Sequence, residues 1–163
     1  MRTEISCSNS TENTSTAAVC TVCPHHCRLT DGQYGRCRAR KNEKGEILPY
    51  IDAMNIDLKG FTEEYYHKLG GNLETVKNFI KRAADACHVE LTTLIVPGEN
   101  DSVEEMEREA EWIASVSPEI VLHVTRFFPR YRMTDRDAAD EREVYRLRDA
   151  SGKYLKYVYT GNC

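Results

Sequence analysis

The stretch that decides the fold runs from Val89-Glu-Leu-Thr-Thr-Leu-Ile-Val96 through Pro97-Gly98 to Ser102-Val-Glu-Glu105. Its first part is rich in β-branched residues and predicts a strand that ends at the Pro-Gly pair. Its last part has the Ser-x-x-Glu spacing of a capping box, which predicts a helix that begins after Ser102. The apolar residues that recur at helical spacing, and so predict the inner face of this helix, are Val103, Met106, Ala110 and Ile113.

The same pattern of a strand followed by a helix recurs on both sides of this stretch. Further strands are predicted at Ala53–Leu58, Ile120–Phe128 and Tyr154–Tyr159. Thr62 and Asn72 are suited to cap helices between the first two strands, and Asp140 precedes a charged helical segment. Strands that alternate with helices are typical of parallel βα units. The sequence therefore predicts an α/β fold, a partial (β/α) barrel of about four units whose open sheet edges favour self-association or another partner.

Four of the seven cysteines lie close together, at Cys20, Cys23, Cys27 and Cys37. Thiolates at C-x2-C and C-x3-C spacings can converge on one metal centre, and four of them suit either zinc or an iron–sulfur cluster. His25 or His26 is an alternative to one of these thiolates, and a chance cluster of free thiols is the alternative to metal binding. The cysteines without a neighbour at ligand spacing, expected to be free thiols, are Cys7, Cys87 and Cys163.

The composition is that of an ordinary globular protein, with 163 residues, 40% hydrophobic and 29% charged. A net charge of -4 argues against binding to nucleic acid or to an anionic membrane surface. No apolar run is long enough to span a membrane, and the polar N-terminus does not resemble a signal peptide. We therefore expect a cytoplasmic protein with a disordered tail at 1–19, a cysteine-rich metal-binding segment at 20–49 and the partial barrel at 50–163.

Four blocks of the sequence carry a resemblance to a known family. They are Cys20-Thr-Val-Cys23-Pro-His-His-Cys27, Asn55-Ile-Asp-Leu-Lys-Gly60, Leu94-Ile-Val-Pro-Gly-Glu-Asn-Asp101 and His123-Val-Thr-Arg-Phe-Phe-Pro-Arg-Tyr131. These blocks resemble the AmmeMemoRadiSam system radical S-adenosylmethionine (radical SAM) enzymes, relatives of the pyruvate formate-lyase activating enzymes. The resemblance implies a barrel of the radical SAM type, a [4Fe-4S] cluster and reductive cleavage of S-adenosylmethionine. It also implies Memo-like and Amme-like partner proteins.

One element of that family is absent from this sequence. The C-x3-C-x2-C loop that holds the cluster does not occur, and Gly45-Glu-Ile47 is followed almost directly by the Tyr50–Lys59 block. The family's middle segment is therefore missing between about residues 47 and 50. Two hypotheses follow. The chain is a catalytically compromised radical SAM protein that retains part of the cofactor pocket, or it is a non-catalytic metal-binding and scaffold module held by its four cysteines.

The resemblance also implies residues of the cofactor pocket. It places Asp57 and Lys59 near the polar groups of S-adenosylmethionine, and Thr92 is the nearest match to a polar residue that faces the cofactor on the next strand. His123 and Arg126 are further candidates, and their spacing of three puts them on opposite faces of a regular strand. The alternative for each residue is an ordinary structural role at a strand end. No catalytic residue is assigned.

Overall fold

The structure, a computed structural model, describes residues 16–49 and 51–163. The chain divides into two compact units, with the boundary between Ile51 and Asp52. Most of the predicted tail, together with Cys7 and Tyr50, lies outside the described residues. The last two residues of the predicted tail, Ala18 and Val19, form the first strand.

The first unit contains two short antiparallel hairpins. Their strands are β1 (Ala18–Val19) with β2 (Arg28–Leu29), and β3 (Arg40–Glu43) with β4 (Glu46–Pro49). Closely spaced cysteines together with Pro24, Gly32 and Gly35 predict a loop without strands, and this is wrong for β2, which pairs with β1. A backbone hydrogen bond from Cys20 N to Cys27 O, at 2.9 Å, continues this pairing towards the loop. The stretch Asn42-Glu-Lys-Gly45 predicts a turn, and the second hairpin does turn there, at Lys44 and Gly45, with positive φ at both residues.

Asn42 is a buried polar residue whose side chain forms hydrogen bonds with three separate parts of this unit. Its Nδ2 donates to the carbonyl oxygens of Thr16 and Leu29, both at 2.7 Å, and its Oδ1 accepts from Gly45 N at 2.8 Å. One amide therefore joins both hairpins and the residues before β1, and its hydrogen bonds satisfy a buried polar group.

The second unit is a four-stranded parallel sheet with connecting helices. The strands are β5 (Ala53–Asp57), β6 (His88–Ile95), β7 (Val121–Arg126) and β8 (Val158–Gly161), adjacent in chain order. The helices are α1 (Glu63–Lys68), α2 (Leu73–Ala84), α3 (Val103–Val116) and α4 (Glu141–Ser151). The prediction of an α/β partial barrel with four parallel strands is confirmed. Within the described ranges, no helix is long and apolar enough to cross a membrane.

The two faces of the sheet differ in burial. On β6, Val89, Leu91 and Ile95 are buried in the core with the helices. Glu90, Thr92 and Leu94 alternate with them and are only partly buried, on the face that we call the open face. Strands joined in chain order by same-handed crossovers put all their helices on one side, so the other side is the inward face of a barrel.

The predicted helix caps are present. Thr62 Oγ1, Asn72 Oδ1 and Ser102 Oγ each accept a backbone N–H three residues ahead. The capping box at Ser102 is only half formed, because the Glu105 carboxylate accepts from Phe61 N at 2.6 Å instead of returning to Ser102 N. The start of α3 packs against the loop after β5, and the Glu105 carboxylate accepts a backbone hydrogen bond from that loop.

The last strand begins at Val158, four residues later than predicted. The backbone N–H groups of Tyr154 and Leu155 both donate to Ser151 O, at 3.0 and 3.1 Å. These bonds continue the turn at the end of α4 beyond Gly152, so the first residues of the predicted strand are a turn instead.

Candidate functional site

The candidate site is the open face of the second unit, where one row of residues crosses all four strands. Asp57 is in register with Thr92, Thr92 with His123, and His123 with Tyr159. Neighbouring strands are about 4.8 Å apart, so the row spans roughly 14 Å. Asp57, Thr92 and His123, which were predicted one by one, are therefore brought into a single line, and Tyr159 is a member that the sequence analysis missed.

Glu90 positions His123 within this row. Its Oε2 lies 2.8 Å from His123 Nε2, and its Oε1 lies 3.3 Å from His88 Nε2. The hydrogen bonds from His123 and then from His88 hold the pKa of Glu90 below its usual value. The His123 ring also lies against Tyr159, with centroids 6.0 Å apart. Glu90 was not among the predicted site residues, although strand alternation with Thr92 was a signal that could have found it.

Asp57 and Lys59 form an ion pair at the end of β5. Lys59 Nζ lies 2.7 Å from Asp57 Oδ2, and both side chains are exposed. Beside them, Thr92 Oγ1 donates to Asn55 Oδ1 at 2.9 Å. A carboxylate, an ammonium group, an amide and a hydroxyl are thus available to a ligand on this part of the open face.

The backbone of Lys59 is anchored by buried side chains. Lys59 N donates to Tyr66 Oη at 3.1 Å, and Lys59 O accepts from Asn100 Nδ2 at 2.9 Å. Asn100 also donates to Leu94 O at 2.9 Å and accepts from Val96 N at 2.8 Å. This one amide joins the ends of β5 and β6. In the sequence, Asn100 is part of the Leu94–Asp101 block, and its role between β5 and β6 depends on Lys59, 41 residues earlier in the chain.

Gly60 follows Lys59 in a place too narrow for a side chain. A Cβ atom at this position would lie 2.9 Å from Tyr65 Cδ1 and 3.1 Å from Glu105 Oε1. The close approach of these groups explains why glycine ends the Asp57–Lys59 segment.

Two buried carboxyl groups lie on α3, on the helix side of the sheet. Glu109 Oε1 accepts from Thr93 Oγ1 at 2.5 Å, and Glu105 holds Phe61 N. Burial raises the pKa of Glu109 to about 8, and burial also raises the pKa of Glu105. The helical pattern predicted an apolar inner face, and nothing in the sequence distinguished these glutamates from exposed ones.

Arg126, at the end of β7, forms a hydrogen bond and an ion pair with residues at the start of α4. Its Nε donates to Ala139 O at 2.7 Å, and its Nη1 pairs with Glu141 Oε1 at 2.6 Å. Two predicted cofactor residues thus lie outside the row of Asp57, Thr92 and His123: Lys59, which is paired with Asp57, and Arg126, which is bonded to the start of α4.

The four predicted metal ligands lie in the first unit, on two separate turns. Cys20 and Cys27 flank the loop of the first hairpin, and Cys23 lies within that loop. Cys37 lies in a turn closed by Gly35 N and Arg40 O at 2.8 Å. In residues 16–49 and 51–163, no three His, Cys, Asp or Glu side chains form a group that could hold a metal ion. Thiolates suit zinc or an iron–sulfur cluster chemically, and ligation by all four requires the two turns to bring their cysteines closer.

Comparisons with known proteins agree with this fold. Uncharacterized protein MJ0808 of Methanocaldococcus jannaschii is 36% identical over 125 residues, which cover 75% of this chain and 37% of that protein. The chain thus spans little more than a third of that relative's length. A crystal structure of a domain of pyruvate-formate lyase-activating enzyme from Bacteroides vulgatus matches with a TM-score of 0.58 and 17% identity, over 68% of each chain. No protein-family model matches the chain. The chain therefore shares the α/β fold of that activating-enzyme domain.

Proposed function

We propose that the chain is a radical SAM family protein whose open face binds S-adenosylmethionine without cleaving it. The observation that carries this proposal is the row of Asp57, Thr92 and His123 across the open face, with Lys59 beside its first member. The shared fold with an activating-enzyme domain supports it. The expectation that cleavage is lost rests on the sequence, whose 163 residues contain no C-x3-C-x2-C motif.

The polar groups of the row match those of the ligand. S-adenosylmethionine carries an ammonium group, a carboxylate and two ribose hydroxyls. Asp57 would accept from the ammonium group or a hydroxyl, and Lys59 would pair with the carboxylate. Thr92 and His123 add a hydroxyl and a ring nitrogen. The Asp57–Lys59 pair has to open for this, which costs little because exposed ion pairs are weak.

Replacing Asp57 with Asn is expected to weaken S-adenosylmethionine binding at least tenfold, since the amide keeps the shape of the carboxylate but loses its charge. Isothermal titration calorimetry on the full chain measures this. The matched control is Asp85→Asn, an exposed aspartate at the end of α2, which should leave the affinity unchanged. Equal affinities for the two variants would contradict the proposed role of Asp57.

The absence of cleavage needs its own measurement. The chain, reconstituted with iron and sulfide under anaerobic conditions, is incubated with S-adenosylmethionine and dithionite. We expect no 5′-deoxyadenosine above a protein-free control. Enzyme-dependent 5′-deoxyadenosine would show that the chain cleaves the ligand, whatever its affinity.

A second candidate function, metal binding by the first unit, rests on the C-x2-C and C-x3-C spacings of Cys20, Cys23 and Cys27. Replacing Cys23 with Ser is expected to reduce the bound zinc, or the bound iron and sulfide, to about a tenth or less, because removing one thiolate opens the ligand shell. Metal analysis of protein prepared anaerobically measures this. Cys163→Ser is the control, since this exposed cysteine lies in the other unit. Equal metal content in both variants would exclude Cys23 as a ligand.

A further inference from the structure

A cavity lies beside the carboxyl ends of β6, β7 and β8, away from the Asp57–Lys59 pair. Its volume is about 410 Å³, and its lining residues are Leu94, Arg126, Phe128, Arg130 and Asn162. Small-molecule sites typically measure about 300–1,000 Å³. Parallel α/β folds place their ligand sites at this end of the strands. The cavity therefore has the size and the position of a ligand site.

The two arginines of the cavity differ in their partners. Arg126 is paired with Glu141 and also bonded to Ala139 O, so its charge is already balanced. Arg130 is exposed and has no carboxylate partner within the part of the chain that the structure describes. The chain has a net charge of -4, so the unpaired Arg130 guanidinium gives this cavity a charge opposite in sign to that of the whole chain. It can take a carboxylate or a phosphate group in a two-point hydrogen bond.

The rest of the lining is suited to a flat apolar body. Phe128 is 41% exposed, and the Arg126 guanidinium lies 4.8 Å from its ring centroid, which holds the ring in place. Leu94 contributes an aliphatic side chain from the open face of β6. Asn162 adopts φ 61° and donates to Arg126 O at 3.4 Å, so it adds an amide at the same cavity.

We propose that this cavity binds an aromatic or heteroaromatic acid, with its carboxylate or phosphate on Arg130 and its ring against Phe128 and Leu94. The site lies next to the row of Asp57, Thr92 and His123, not on it: Leu94 is two residues beyond Thr92, about 7 Å along β6, and Arg130 lies beyond the end of β7. Binding of this acid does not depend on S-adenosylmethionine. The acid would be a second ligand at the same end of the sheet.

The test is an NMR titration of the ¹⁵N-labelled full chain with phenyl phosphate, benzoate, inorganic phosphate and benzyl alcohol. We expect saturable shifts of the Phe128, Arg130 and Asn162 amides with phenyl phosphate or benzoate. The stronger of these two shows which acid group the site prefers. Inorganic phosphate lacks the ring and benzyl alcohol lacks the charge, so each should bind at least tenfold more weakly.

Arg130→Gln should weaken binding of the preferred acid at least tenfold and leave benzyl alcohol unaffected. The control is Arg142→Gln, an exposed arginine on α4 that pairs with Asp140. Equal affinity in both variants, or equal affinity for phenyl phosphate and inorganic phosphate, would overturn the inference.

Two further measurements separate this inference from the proposed function. Asp57→Asn should not change the affinity for the preferred acid, and Arg130→Gln should not change the affinity for S-adenosylmethionine. Displacement of the acid by S-adenosylmethionine would mean that the cavity belongs to the cofactor site, and the second ligand would be ruled out.

Discussion

Replacing Glu109 with Gln is expected to raise the free energy of unfolding by roughly 3 kcal/mol at pH 7. Glu109 is fully buried, and burial raises its pKa from 4.5 to about 8. The folded chain therefore keeps a proton that the unfolded chain releases above pH 4.5. Glutamine accepts the hydrogen bond from Thr93 as the acid does, but it has no proton to lose.

The sign of the pH dependence follows from the raised pKa. Below pH 4.5 both states of the natural protein hold the proton, so ionisation of Glu109 contributes nothing to the stability difference. Between pH 4.5 and about 8 the unfolded state ionises and the folded state does not, so stability falls as pH rises. Above pH 8 both states are ionised and the loss stays constant. The advantage of the Glu109→Gln variant should therefore grow from pH 4.5 to pH 8.

Urea unfolding of both proteins at pH 5, 7 and 9, at one ionic strength, measures this difference. Distant titrating groups affect both proteins equally, so the difference reports Glu109 together with its electrostatic coupling to Glu105. The matched control is Glu111→Gln, an exposed glutamate on the same helix, which should follow the natural protein at each pH. If the stability gained by Glu109→Gln does not change between pH 5 and pH 9, Glu109 is not buried in its acid form.

Replacing Asn100 with Ala is expected to destabilise the second unit by about 3–5 kcal/mol, since the substitution removes three hydrogen bonds to backbone groups. These groups are Val96 N, Lys59 O and Leu94 O, and Asn100 itself is 2% exposed. Water has little access there, so the loss per group approaches the full cost of an unpaired polar atom.

Thermal and urea unfolding of Asn100→Ala against Asn78→Ala tests this, because Asn78 is an exposed residue on α2. Asn100→Asp keeps an acceptor for Val96 N but places a buried carboxylate against the carbonyl oxygens of Lys59 and Leu94. At neutral pH we therefore expect it to be at least as destabilising as Asn100→Ala. An Asn100→Ala loss below about 1 kcal/mol would mean that these backbone groups find other partners.

The candidate site illustrates which information a sequence carries about function. Asp57, Lys59, Thr92 and His123 were each named from nearby sequence alone. Asp57, Lys59 and Thr92 lie in the carboxyl half of a strand or just beyond it, and His123 is the third of the six residues of β7. Their arrangement in a row depends on the register of β5, β6 and β7, which involves residues more than 30 positions apart. The same holds for Glu90, whose role depends on His123 of the neighbouring strand.

The helices illustrate the same division. Ser102 was identified as a cap because its partner, Glu105 N, is three residues away. The Glu105 side chain was expected to complete that local motif, but it holds Phe61 N, 44 residues earlier in the chain. The Glu105 carboxylate can accept either from Ser102 N, in the local motif, or from Phe61 N, which is distant in sequence. Because α3 packs against the loop after β5, it accepts from Phe61 N.

By itself, the sequence determined the α/β class, the helix starts and the four strands of the parallel sheet, because caps, β-branched runs and Pro-Gly turns act over one to four residues. Only the tertiary structure decided the register of the row, the cavity beside Arg130 and the buried acid at Glu109. These features depend on which distant side chains meet and on how much water their packing excludes, and burial is the physical cause of the raised pKa of Glu109.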